Sequence, residues 1–195
     1  MPKINAVTPP TSVNDSSNIN ANTTTPSTTP TTTPPEVQQF QISGKIGVRT
    51  PQQGVRTPQQ TGSAFYAWNQ LGEQFAIEIT GALGIGQTSI QGQTGQVSLT
   101  NSKTGTIYAD TPEELLQKAT GWQAPISQLR WWIDGKTATA DAVKTLDTQG
   151  RLQQVKEFGW TADFSYDGEQ KLPNRLIIID DAQQNRIILT IQTRQ

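Results

Sequence analysis

The chain has 195 residues, which suits one domain with a tail, and only 33% of them are hydrophobic. Its formal net charge is −1 without a run of like charges, so it lacks the basic surface that binding to nucleic-acid phosphates requires. It has neither histidine nor cysteine, which excludes a Ser-His-Asp relay, His- or thiolate-bound metals, thiol nucleophiles and disulfides.

The first predicted segment is a disordered Thr/Pro-rich N-terminal tether at residues 1–38, followed by one domain at residues 39–195. Residues 23–35 consist almost entirely of threonine and proline, which favour an extended, polyproline-like backbone. No apolar segment follows Met1-Pro2-Lys3, so an intact secretory signal is absent. No stretch approaches the roughly 18 apolar residues of a transmembrane helix. A disordered terminus without a function is the alternative interpretation of the same composition.

From residue 40 onward, apolar and polar residues alternate in short runs, which predicts strands with one buried and one solvated face. The apolar members of these runs are Phe40, Ile42, Ile46, Val48, Phe75, Ile77, Ile79, Val97, Leu99, Trp160, Ala162, Phe164, Tyr166, Ile187, Leu189 and Ile191. The run at residues 176–179 differs because it is apolar on both faces. Short breaks rich in turn residues separate the runs, so we predict hairpins and an antiparallel meander.

One tandem repeat lies between the first two strand patterns: residues 47–53 recur as residues 54–60. Each copy contains a proline, which a central strand does not accommodate. We therefore predict a duplicated hairpin tip, to which no function is assigned.

The loop at residues 81–86 contains three glycines and follows a predicted strand. No lysine follows it and no helix begins there, so it is not a nucleotide-binding loop. Leu83 is a large apolar residue at its centre. From the sequence alone it either folds back onto the core or projects into solvent, where it would contact a lipid or a partner.

Two short helices interrupt the predicted strands. The first begins at Thr111, an N-cap residue followed by proline at the first helical position and by Glu114 at the capping-box position, and Gly121 ends it. The second runs from about Pro125 to Ile133, with Ile126, Leu129, Trp132 and Ile133 forming an apolar stripe. Trp131 and Trp132 point about 100° apart, so at most one of them faces the sheet squarely.

A wide antiparallel sheet with one apolar face must be covered, and two short helices are little material for that purpose. Either the sheet curls until its own side chains fill the interior, or a void remains beneath the helices. Such a void would stay dry and accept an acyl chain. The pattern leaves both possibilities open.

The paired carboxylates do not form a catalytic arrangement. Glu113-Glu114 belongs to a helix start and Asp180-Asp181 to a turn, and neither pair lies across a cleft as acid–base chemistry would require. We therefore expect a protein that is not an enzyme and that has no cofactor, with a carboxylate-only hydrolase as the least favoured interpretation.

The ordered set of these features resembles the LolB family of lipoprotein-localisation proteins, from about Phe40 to Thr193. Residues 40–48 resemble the first strand of the family, and residues 65–68 with 76–84 resemble its second and third strands with their protruding loop. Residues 111–121 and 125–135 resemble its two lid helices. Residues 150–152 with 159–160 resemble its later hairpin. Each motif is weak, and their joint order is more specific.

The resemblance implies a mainly β fold: a large antiparallel sheet forming an unclosed (half) β-barrel, with short α-helices as a lid over a hydrophobic cavity. It implies that Leu83 projects and inserts into the membrane from the loop Gly81, Ala82, Leu83 and Gly84. The expected cavity and lid residues, from the resemblance and the apolar pattern together, are Trp68, Ile77, Ile79, Leu129, Trp132, Ile133, Trp160 and Phe164.

The implied function is to receive triacylated lipoproteins from a LolA-type periplasmic carrier and to place them in the inner leaflet of the outer membrane. The expected form is a monomer on the periplasmic face. The family is lipid-anchored through an N-terminal cysteine, so this cysteine-less chain is expected to be a soluble form in which Met1 replaces that residue. Members of the family usually have a proline before the loop leucine. Ala82 occupies that position here, so the restraint that proline would place on the loop backbone is missing.

Two alternatives remain. A LolA-like soluble carrier would need neither a tether nor a protruding apolar loop. A structural β-domain on a Thr/Pro stalk would have a filled core and would bind no lipid.

Overall fold

The computed structural model describes residues 38–50, 61–81, 87–103, 105–182 and 184–195. Among them, eleven strands and two helices are present. In chain order they are β1 (Gln39–Arg49), β2 (Thr61–Leu71), β3 (Gln74–Gly81), β4 (Thr88–Gln93), β5 (Gln96–Asn101), β6 (Gly105–Ala109), α1 (Pro112–Thr120), α2 (Ile126–Trp132), β7 (Val143–Leu146), β8 (Leu152–Glu157), β9 (Trp160–Ser165), β10 (Arg175–Asp180) and β11 (Arg186–Arg194). The predicted tether up to residue 37, residues 51–60 of the repeat, and Ala82, Leu83 and Gly84 lie outside the described residues.

The strands form one antiparallel sheet in the order β6-β5-β4-β3-β2-β1-β11-β10-β9-β8-β7. Neighbours in the sheet are neighbours in the chain, with one exception. Strand β1 pairs with β11, and β6 and β7 are the edge strands at opposite sides of the sheet. The sheet is therefore not closed into a barrel, and the predicted open antiparallel architecture is confirmed.

The junction of β1 with β11 requires a glycine at position 44. The register shifts between Ser43 and Gly44, which marks a bulge. A Cβ atom on residue 44 would lie 1.9 Å from the carbonyl oxygen of Thr190, closer than any side chain could approach. Gly44 thus lets the first and last strands pair at the centre of the sheet.

The helices lie in the connection between the two edge strands, β6 and β7. Helix α1 begins as predicted, with the Thr111 hydroxyl accepting a hydrogen bond from the Glu114 amide at 3.2 Å, and Gly121 ends it in the left-handed conformation at φ 73°. Its Leu115 and Leu116 are buried, as are Ile126, Leu129 and Trp132 of α2.

The core lies between the sheet and these helices, because the buried side chains of both belong to one apolar cluster. The alternating residues of the strands face it, among them Ile42, Ile77, Leu99, Val155 and Ile178. The run at residues 176–179 has fully buried Leu176 and Ile178 and half-buried Ile177 and Ile179, as a strand apolar on both faces should.

Candidate functional site: an apolar cavity under the helices

A cavity of about 60 Å³ lies between the sheet and the helices. Its walls are almost entirely aliphatic and aromatic. The lining residues are Ile46, Val48, Tyr66, Trp68, Ile77, Ile79, Ile90, Ile187 and Leu189 from the strands, Leu116, Ile126 and Leu129 from the helices, and Trp122, Gln123 and Ala124 from the connection between α1 and α2. This volume is small beside the roughly 300–1,000 Å³ of ordinary ligand pockets. The helices therefore lie close to the apolar face of the sheet and leave little space beneath them.

Trp68 forms one side of this site and is fixed from two directions. Its ring packs edge-on against Phe40, with the ring centroids 5.7 Å apart. Its indole nitrogen donates to the side-chain oxygen of Gln70 at 3.0 Å, so its polar atom is satisfied although the ring is buried. The ring is thus presented to the cavity in one orientation.

Tyr66, on the same face of β2, has only 5% of its surface exposed, and its hydroxyl donates to the carbonyl of Thr190 at 3.3 Å. Burial raises the pKa of this hydroxyl, and the positive charge of Arg194 offsets the effect only in part. The wall therefore holds the phenol in its neutral form.

Polar contacts hold the C-terminal end of α2 to the sheet. The buried Glu157 carboxylate at the end of β8 accepts from the Trp132 indole at 2.5 Å, from the amides of Ala138 and Thr139 at 2.9 and 3.0 Å, and from the Thr139 hydroxyl at 3.0 Å. Four donors satisfy a carboxylate that burial would otherwise make costly.

A second set of contacts acts just after α2. Arg194 at the end of β11 donates to the Ile133 carbonyl at 2.8 Å and to the Asp134 carboxylate at 3.3 Å. The side-chain amide of Gln38 donates to the carbonyl of Arg130 and, at 3.2 Å, to Asp134. The C-terminal end of α2 is therefore fixed to both the first and the last strand regions.

The N-terminal end of α2 is held by the other helix. Pro125 provides no side-chain cap there. Instead, the carboxylate of Glu113 in α1 accepts from the Ser127 amide at 2.7 Å and from the Ser127 hydroxyl at 3.1 Å. Glu113 thus caps the neighbouring helix, and the two helices are joined at the end that lies away from the Glu157 and Arg194 contacts.

The structure brings four of the expected cavity residues together: Trp68, Ile77, Ile79 and Leu129 all line the cavity. The expected residues Trp132, Ile133 and Phe164 are buried in the same core without lining this cavity, and Trp160 is half-buried at its periphery. Gly81, expected in the protruding loop, is the exposed last residue of β3.

Several lining residues were not among the expected site residues. Ile46, Val48, Ile187 and Leu189 had been assigned to the apolar face by their alternation, so the signal for them was present. Tyr66 and Trp122 carried no such signal. Of the tryptophan pair, Trp132 is fully buried in the core, whereas Trp131 is half-buried at its edge beneath the guanidinium of Arg130.

Within the described ranges, no helix is both long enough and apolar enough to cross a membrane.

The family described as "Outer membrane lipoprotein LolB" matches residues 38–193. The outer-membrane lipoprotein LolB of Stutzerimonas stutzeri is 34% identical over 161 residues, covering 80% of this chain and 75% of that protein. Its counterpart in Pseudomonas aeruginosa (strain LESB58) is 34% identical over 145 residues, covering 72% and 67%. The protein of the same name in Pseudomonas savastanoi pv. phaseolicola is 35% identical over 141 residues, covering 70% and 65%.

Among solved structures, a LolA superfamily protein from Nitrosomonas europaea matches with a TM-score of 0.47 and 13% identity, covering 81% of this chain and 86% of that chain.

Proposed function

Because this chain belongs to the LolB family of outer-membrane lipoproteins, we propose that it receives triacylated lipoproteins from a LolA-type periplasmic carrier and inserts them into the inner leaflet of the outer membrane. The role is binding and transfer without covalent chemistry. The observation that carries this proposal is the apolar cavity enclosed between an open sheet and two helices.

Capture of the lipoprotein is driven by the transfer of acyl chains from water or from a weaker binding site. Each methylene group that moves from water into an apolar interior contributes about 0.8 kcal/mol. Transfer from the carrier follows the difference in affinity between the two binding sites and needs no ATP. A cavity of about 60 Å³ is too small for such chains. The lid therefore has to move away from the sheet when a lipoprotein enters.

The contacts of α2 suggest how the lid moves. Its C-terminal end is hydrogen-bonded to β8 and β11 through Glu157 and Arg194, while its N-terminal end is bonded to α1 through Glu113. Movement of α1 with the N-terminal end of α2, about the fixed residues near Ile133, would widen the cavity and keep these hydrogen bonds.

Release requires the membrane to compete with the cavity for the acyl chains. Leu83, in the connection between β3 and β4, is the proposed membrane-inserting residue, with Ala82 before it and with Gly81 and Gly84 supplying backbone freedom around it. A leucine among lipid tails would hold the cavity close to the bilayer surface. The protein acts as a monomer at the periplasmic face of the outer membrane, to which a lipid anchor tethers the family's members.

The variant Leu83→Glu tests this role. A carboxylate enters the hydrocarbon region at high cost, so the variant should accept lipoprotein from the carrier normally and deliver it to liposomes poorly. The matched control is Leu71→Glu, which alters a leucine that is 54% exposed where β2 ends, at the opposite end of the sheet. Unimpaired delivery by Leu83→Glu would refute the role of this residue.

The cavity itself is tested by titration with a non-polar fluorophore, with and without competing lipoprotein. Saturable uptake that the lipoprotein displaces is expected. Absence of uptake would contradict the proposal and favour a structural β-domain with a filled core.

A further inference from the structure

The β8–β9 hairpin ends in a two-residue turn formed by Phe158 and Gly159. Both have positive φ, 53° and 77°, and Glu157 and Trp160 pair directly across the hairpin. Positive φ at both central positions identifies a type I′ turn, for which Asn-Gly, Asp-Gly and Gly-Gly are the favoured sequences. Phe158 is the one non-glycine residue with positive φ in the described part of the chain.

Phenylalanine is an unfavourable residue at this position for two independent reasons. Its Cβ atom is crowded in the left-handed conformation, which asparagine and glycine tolerate better. Its ring is 61% exposed, so most of the apolar surface remains in water and burial does not compensate for the strain. A strained and exposed aromatic side chain at a hairpin tip indicates a function outside the folding of the domain.

Sheet topology places this tip at a defined end of the molecule. An even number of antiparallel pairings separates β3 from β8, so both strands run toward the same end of the sheet. The turn at Phe158 and the connection that follows Gly81 therefore leave the sheet at the same end.

The surroundings of Phe158 combine apolar, basic and acidic groups. On one side, the Asp181 amide donates to the Gly159 carbonyl at 3.0 Å, and the Asp181 carboxylate lies close to Gly159. Val143, the first residue of β7, is 68% exposed and pairs directly with Lys156, which is also exposed and lies two residues before Phe158. An aromatic ring and an aliphatic side chain beside lysine suit the boundary between lipid tails and anionic headgroups, since the lysine stem can extend its ammonium group to the headgroups.

The base of the turn is rigid. Glu157, immediately before Phe158, accepts four hydrogen bonds from Trp132, Ala138 and Thr139. The tip is thus fixed to the core and to helix α2, and the ring is presented without the entropic cost of ordering a flexible loop.

We propose that Phe158 is a second membrane-contacting residue, which inserts its ring into the surface of a phospholipid bilayer beside the end of the sheet that carries the β3–β4 connection. The proposal rests on the proposed function for the orientation of the protein toward the membrane. The occupant of this surface is lipid.

The test uses Phe158→Asn in the full chain, with vesicles of phosphatidylethanolamine and phosphatidylglycerol in a three-to-one ratio. The matched control is Phe65→Thr: Phe65 is 57% exposed, lies within β2 beneath the ammonium group of Lys45 and has a conformation that threonine adopts readily. Vesicle partitioning, the thermal unfolding midpoint and uptake of a non-polar fluorophore are measured for both variants and for the unaltered chain.

Loss of one ring from the bilayer should lower the vesicle partition coefficient of Phe158→Asn about tenfold. Phe65→Thr should leave it unchanged. Since asparagine suits the turn better, the unfolding midpoint of Phe158→Asn should stay the same or rise by about 1–3 °C. Fluorophore uptake should equal that of the unaltered chain, because Phe158 does not line the cavity.

Partitioning of Phe158→Asn at the unaltered level would overturn the proposal, as would an equal loss in Phe65→Thr. A lowered unfolding midpoint in Phe158→Asn would also overturn it, since the ring would then have a structural role.

If the unaltered chain takes up fluorophore and binds no vesicles, this proposal fails while the cavity stands. If it binds vesicles through Phe158 and takes up no fluorophore, the lipoprotein-binding proposal fails instead.

Discussion

Tyr66 couples the wall of the cavity to pH. Burial raises the pKa of its hydroxyl above the ordinary value of 10.0, so the folded chain holds this proton more tightly than the unfolded chain does. A group whose pKa is raised in the folded state contributes stability that is complete below its unfolded pKa and is lost as the pH rises toward its folded pKa. Folding should therefore weaken as the pH increases above about 10.

The variant Tyr66→Phe should flatten this alkaline decline, because it removes a group that contributes up to about 1.4 kcal/mol per pH unit to the free energy of unfolding. Urea denaturation between about pH 8 and about pH 11 measures the slope for both chains. The matched control is Tyr108→Phe, at an exposed site on β6, which should keep the steep decline. An equally steep decline in Tyr66→Phe would assign it to another group, such as Tyr166, whose pKa burial also raises.

For single residues, sequence periodicity predicts which side of a strand a side chain occupies, and it placed Ile77 and Ile79 correctly on the buried face. It does not predict which part of a shared core a buried residue reaches. Trp132 follows the apolar stripe of its helix and is buried, but its partner is Glu157 and it does not line the cavity. Glu157 itself carried no signal, since its donors come from residues up to 25 positions away.

The two helices show which structural features local sequence motifs can predict. Thr111, Pro112 and Gly121 predicted both ends of α1 because caps depend on neighbouring residues. Glu114 was expected to complete a capping box, and it instead forms a 2.7 Å ion pair with Lys118 and accepts a 3.4 Å bond from the Asp110 amide. The bond from Glu113 to Ser127 joins separate helices, and no local motif encodes it.

The variant Glu113→Ala should destabilise the lid, because it leaves the first turn of α2 without its cap. We expect a loss of about 1 kcal/mol in the free energy of unfolding and faster hydrogen exchange at the Ser127 amide. The control is Glu114→Ala, which removes an exposed ion pair with Lys118 and should have little effect. Unchanged exchange at Ser127 in Glu113→Ala would contradict the assigned cap.

The order of the strands was only partly predictable. Short breaks between alternating runs indicate hairpins such as that of β10 with β11, but β6, β7 and β8 carried no alternating run identified from the sequence. The pairing of β1 with β11 brings together residues at the two ends of the domain, such as Ile42 and Arg194, which local periodicity cannot identify. Gly44 and its bulge are part of that pairing, so they too emerged only from the structure.

In the molecule as a whole, the helices that cover the apolar face of the sheet determine how large a cavity remains in the interior. The sequence indicated a wide apolar sheet with two short helices and left a filled core and a void as alternatives. The structure lies between them, with a cavity of about 60 Å³ beneath the connection between α1 and α2. A closed state with a small residual void is easier to open than a fully packed one, because fewer contacts are lost on opening.

Filling the residual void should therefore favour the closed state. Ala124 lines the cavity, and leucine at this position would occupy it. At about 24 cal/mol per Å³ of cavity, filling some 60 Å³ stabilises the closed form by about 1.4 kcal/mol. Because the lid-open state gains nothing, the apparent affinity for a non-polar fluorophore should fall about tenfold in Ala124→Leu, while the free energy of unfolding rises.

The matched control is Ala119→Leu. Ala119 is half-buried on α1 against the same core but does not line the cavity, so its replacement should leave fluorophore affinity unchanged. Fluorescence titration gives the affinities, and urea denaturation gives the stabilities. If Ala124→Leu gained stability and bound the fluorophore as tightly as the unaltered chain, the probe would enter without displacement of the lid from the sheet. Lipid uptake would then not depend on opening of this cavity.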